Sequence, residues 1–79
     1  MESLSEEKNF ARELALSLND PESLPLYRLY VQKYPETLLR NILDEVLQVP
    51  IERIKKSRGA LFTYLLKKHV HYRYNNHRD

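Results

Sequence analysis

The chain predicts an all-α fold, a compact bundle of four to five helices, from three observations. Apolar residues recur at three- and four-residue spacing along most of its length. Leu, Lys, Arg and Glu, all good helix formers, are abundant. A single glycine among 79 residues leaves almost nothing for the tight turns that β-hairpins require. A chain of this length holds one domain, 1–79, in which burial and chain entropy nearly cancel.

The elements follow in order. Ser3 and Glu6 have the spacing of a capping box, and Phe10, Ala11, Leu14, Ala15 and Leu18 make one stripe, so the first helix is expected from about Leu4 to Leu18. Asn19 and Asp20 interrupt it, with Asp20 placed to cap a segment that opens on Pro21. Pro25 either falls in the first turn of the second helix or places the start at Ser23, and in both cases Tyr27, Tyr30, Val31 and Tyr34 share a face. Pro35 separates this helix from a third, about Glu36 to Leu47, whose Leu38, Leu39, Ile42, Leu43, Val46 and Leu47 form the strongest stripe in the chain.

Pro50 suits the first position of a short helix that turns Ile51 and Ile54 inward. A polar stretch follows, in which Ser57 is a good cap and Gly59 is poor inside a helix by about 1 kcal/mol, so a break is expected near Ser57. One long helix from Pro50 is the alternative. The last helix is expected from about Arg58 to Tyr72, with Leu61, Phe62, Leu65 and Leu66 buried and His69 at the core edge; residues 1–3 and 75–79 should fray.

Composition narrows function. There is no cysteine, hence neither a disulfide framework nor a thiolate zinc site. No membrane span or signal peptide is read, and a cytoplasmic location is expected. His69, His71 and His77 do not make a metal site, because side chains two apart on a helix diverge. Asp44 and Glu45 diverge likewise. A bundle this small offers little concavity for converging catalytic groups, so neither an enzyme nor a cofactor is expected.

Charge is the informative feature. The net charge is only +2, yet residues 1–50 carry five Lys/Arg against nine Asp/Glu, while residues 51–79 carry eight against two. The closing third is therefore strongly basic. Lys55, Lys56, Ser57, Arg58 and Gly59 gather at a helix start, where cations oppose the macrodipole unless an anion joins them. Gly59 there would let a ligand approach the backbone. Tyr64, Lys67, Lys68 and His71 project opposite the apolar arc of the last helix, mixing charge with rings that stack on bases or bond phosphate.

These nine residues form the expected nucleic-acid-binding set, acting chiefly through phosphate contacts, with DNA favoured over RNA. The third helix, the Pro50 turn and the last helix allow a helix-turn-helix-like arrangement. Ordinary solvated charge is the plainer reading of the same lysines. The alternative function is a protein-interaction or adaptor module. Its basic end would meet an acidic protein surface, or Leu24, Leu26 and Leu29 would form an apolar patch. The acidic Glu2, Glu6, Glu7, Glu13, Asp20 and Glu22 also allow head-to-tail homo-oligomerisation.

Overall fold

The computed structural model describes the backbone of residues 2–78 and the side chains of residues 9–71. Four helices, α1 (Glu2–Ser17), α2 (Leu24–Lys33), α3 (Glu36–Gln48) and α4 (Arg58–Arg78), are joined by loops that contain the 3₁₀ turns Pro21–Ser23 and Ile51–Arg53. There is no strand among the described residues.

Local chemistry sets the boundaries. Helix α1 ends because Asn19 adopts φ 54°, a left-handed conformation that asparagine tolerates better than most residues. The amide of Asp20 then donates to Ala15 O (2.8 Å) and that of Asn19 to Leu16 O (3.0 Å), the paired bonds of a Schellman ending. Pro25 lies in the first turn of α2, where its missing N–H has no intrahelical acceptor to lose. Tyr34 and Pro35 are extended, and they separate α2 from α3. The break at Ser57 is present, and its Oγ accepts from the Ala60 amide at 3.0 Å, an N-cap for α4.

The helices pack as two pairs, α1 against α2 and α3 against α4, around one apolar core. The molecule measures 39 × 34 × 18 Å, a slab about two helix layers thick. Phe10 and Leu14 from α1 and Leu18 just after it share this core with Leu39, Ile42 and Val46 from α3 and Phe62 and Leu66 from α4. Tyr27 and Tyr30 close the core from α2, their ring centroids 6.0 and 6.3 Å from that of Phe62. Both edge-to-face and tilted ring contacts occur, so burial and ring electrostatics act together. Outside the core, Arg40 of α3 stacks over Phe10 of α1 at 4.4 Å and bonds Glu13 and Glu36, tying α1 to α3.

Some expectations are corrected. The Asp20 carboxylate does not cap the Pro21 turn; it accepts a hydrogen bond from Tyr27 Oη at 2.9 Å, a buried donor that needs an acceptor more than an exposed turn does. Ile51 does not turn inward but is 67 % exposed, because its 3₁₀ turn is only three residues long; Ile54 is half-buried and lines the groove beside α4 rather than the core. Leu47 is 44 % exposed at the edge of the α3 stripe. His69 is exposed rather than at the core edge: Val70, partly buried against the core, takes the position facing the bundle there. Helical backbone continues past Tyr72 to Arg78, since no glycine or proline follows Gly59 to stop it. The side chains of Ser3 and Glu6, and of His77, lie outside the described residues.

A candidate nucleic-acid interface

The loop of residues 49–57 folds back beside the first two turns of α4 and leaves an open groove of about 520 Å³. Its walls are largely apolar, made by Val49, Ile54, Ala60 and Leu61. Arg53, Lys55 and Lys56, all exposed, line it too, as does Tyr64 with 59 % of its surface exposed. The three cations are exposed, and none has a carboxylate within ion-pair distance among the described residues. The first turn of α4 has no acidic residue of its own; the carboxylate that lies against it is that of Asp20, from the turn after α1.

Tyr64 links the groove to the rest of the basic face. Lys68 Nζ lies 5.9 Å from the Tyr64 ring centroid, and Lys67, Lys68 and His71 are exposed one and two turns further along α4. Ser57, Ala60, Tyr64, Lys67 and His71 fall on one side of the helix at 100° per residue. Tyr64 to His71 spans about 10 Å at 1.5 Å per residue. Among the described residues no carboxylate of the acidic half forms an ion pair with these cations. Glu13 is engaged by Arg40 and Asp20 by Tyr27, while the side chains of Glu2, Glu6 and Glu7 lie outside the described residues.

Three of the nine expected residues have other roles. Gly59 offers no surface to a ligand: it is buried, and a Cβ built on it would sit 2.5 Å from Asp20 Oδ2 and 2.7 Å from the Tyr27 hydroxyl. Its missing side chain lets the start of α4 dock on the turn between α1 and α2. Arg58 is half-buried and does not line the groove, its Nε enclosed without a hydrogen-bond partner among the described residues. Ser57 lines the groove, but its oxygen is occupied as the α4 cap. Lys55, Lys56 and Tyr64 are thus brought together, with Lys67, Lys68 and His71 continuing the line.

Arg53 and the apolar walls are what sequence reasoning missed. Arg53 stands two residues before Lys55 in the same basic segment, a signal that was available. The walls depend on how the loop folds back, which no spacing rule specifies.

The Tyr27–Asp20–Gly59 contact sets where the groove's helix begins. Burial, together with the adjacent Asp20 carboxylate, raises the Tyr27 phenol pKa above its ordinary value, so its hydrogen is held as a donor. Gly59→Ala gains at most about 1 kcal/mol of helix propensity. Against this, the new methyl displaces the Asp20 carboxylate and leaves the Tyr27 hydroxyl buried without its acceptor, costing about 1–3 kcal/mol. The variant is therefore expected to be less stable than the wild type by about 1 kcal/mol, which urea unfolding followed by circular dichroism checks. Greater stability would show that the contact is slack.

Comparison with protein-family models, with curated proteins and with solved structures finds no match to this chain.

Proposed function

We propose that this protein is a non-enzymatic, cytoplasmic module that binds nucleic acid through the groove and the basic face of α4, mainly by phosphate contacts. One observation carries the reading: Arg53, Lys55, Lys56, Lys67 and Lys68 lie on or beside one groove-and-helix surface with no carboxylate partner among the described residues. Exposed cations in a row, unneutralised, favour a polyanion over a single charged ligand. Tyr64 and His71 add groups that can hydrogen-bond phosphate or stack on a base.

In this reading α3, the connecting loop and α4 act in a helix-turn-helix-like manner, with α4 as the contacting element. The link between the two helices, residues 49–57, is longer than the three or four residues of the compact motif. Its extra length forms one wall of the groove. DNA is favoured over RNA as the partner.

If about five phosphates are neutralised, the logarithm of affinity should fall with the logarithm of salt concentration at a slope of about −4 to −5 on duplex DNA. Anisotropy titrations at two salt concentrations measure it. A slope near zero, or no binding at low salt, contradicts the reading. The second reading is a protein-interaction module, favoured by the exposure of Leu26 (39 %) and Leu29 (56 %) on α2.

A further inference from the structure

We infer that the groove seats an unpaired base, so that the preferred partner is a single strand; this inference rests on the polyanion reading above. A surface that only neutralises phosphates needs no apolar walls, yet Val49, Ile54 and Leu61 line the same groove as Arg53, Lys55 and Lys56. A volume of about 520 Å³ is that of a small-molecule site, larger than a phosphate group requires. Base faces in a duplex are covered by their stacked neighbours, so only an unstacked base can enter such a groove.

Tyr64 is placed to receive it. It lines the groove with 59 % of its surface exposed, and no hydrogen bond among the described residues holds its hydroxyl. Lys68 beside the ring supplies a cation next to the stacked base. The flanking cations then meet the adjoining phosphates. Arg53, Lys55 and Lys56 serve one side of the seated nucleotide, while Lys67 and Lys68, one turn beyond Tyr64 on α4, serve the other. An acidic peptide could put one apolar side chain in the groove, but it would also need a carboxylate at nearly every flanking residue. A nucleic-acid strand carries a charge at every residue.

The test uses the full chain and three fluorescein-labelled probes of equal length at one salt concentration: a single strand, its duplex, and a single strand made abasic throughout. The single strand is expected to bind about tenfold more tightly than the abasic strand, and more tightly than the duplex. Tyr64→Ala should abolish that preference, losing about tenfold on the single strand and less than about twofold on the abasic one, while Tyr64→Phe retains it. Equal binding to base-bearing and abasic strands overturns the inference and leaves the polyanion reading standing. So does an equal loss on both probes in Tyr64→Ala. Tighter binding of a poly-glutamate peptide than of the single strand overturns it in favour of a protein partner. Failure of every probe to bind at low salt removes the polyanion reading itself, and this inference with it.

Discussion

Replacing Phe62 by Ala is expected to lower the unfolding free energy by about 3–5 kcal/mol. Phe62 has no exposed surface and is the ring on which Tyr27 and Tyr30 both close, at 6.0 and 6.3 Å. Its removal loses the transfer energy of the ring, opens a cavity between α2 and α4, and ends two aromatic contacts. A domain of this size has about 4–12 kcal/mol of stability in total, so the change removes from about a quarter to all of it. Urea denaturation by circular dichroism gives the number directly. A loss below about 1 kcal/mol would mean that the site collapses around the gap and that the core is not organised on Phe62.

Reversing three cations should be as damaging to binding as the Phe62 change is to folding. The combined variant Lys55→Glu, Lys56→Glu and Lys67→Glu removes three of the five proposed phosphate contacts and adds three repelling charges. Affinity for a nucleic-acid probe at low salt is expected to fall by about two orders of magnitude or more, with the salt slope reduced by about 3. All three residues are exposed and make no ion pair among the described residues, so stability should barely change. Unchanged affinity in a folded variant would show that these lysines serve only solubility.

The sequence revealed the bundle more fully than the site, for physical reasons. The α3 stripe was legible because Leu39, Ile42, Leu43 and Val46 repeat at the helical period between two prolines, and each is buried. Ser57 was legible as a cap because capping is a local bond, here to an amide three residues on. Gly59 was misread because its reason is not local: Asp20 and Tyr27, which a Cβ would strike, are more than thirty residues away in the chain. Ile51 misled for the opposite cause, as a β-branched apolar residue in a turn too short to carry it to the core.

Within the site, helical projection correctly put Tyr64, Lys67, Lys68 and His71 on the exposed side of α4. It could not say that Lys55 and Lys56 belong beside Tyr64, or that Arg58 is left out of the groove lining. Those positions depend on the path of residues 49–57, a loop held by its own 3₁₀ bonds, such as Arg53 N to Pro50 O at 2.9 Å. Periodicity has no purchase on such a segment.

Binding of a polyanion at the 49–57 loop and the outer face of α4 is the claim on which the functional account depends, and amide chemical-shift mapping with a short oligonucleotide tests it most directly. The account predicts perturbations concentrated on residues 53–57, 60, 61, 64, 67, 68 and 71, fading as salt is raised. Shifts confined to Leu26, Leu29 and their neighbours on α2, or no shifts at low salt, would contradict it.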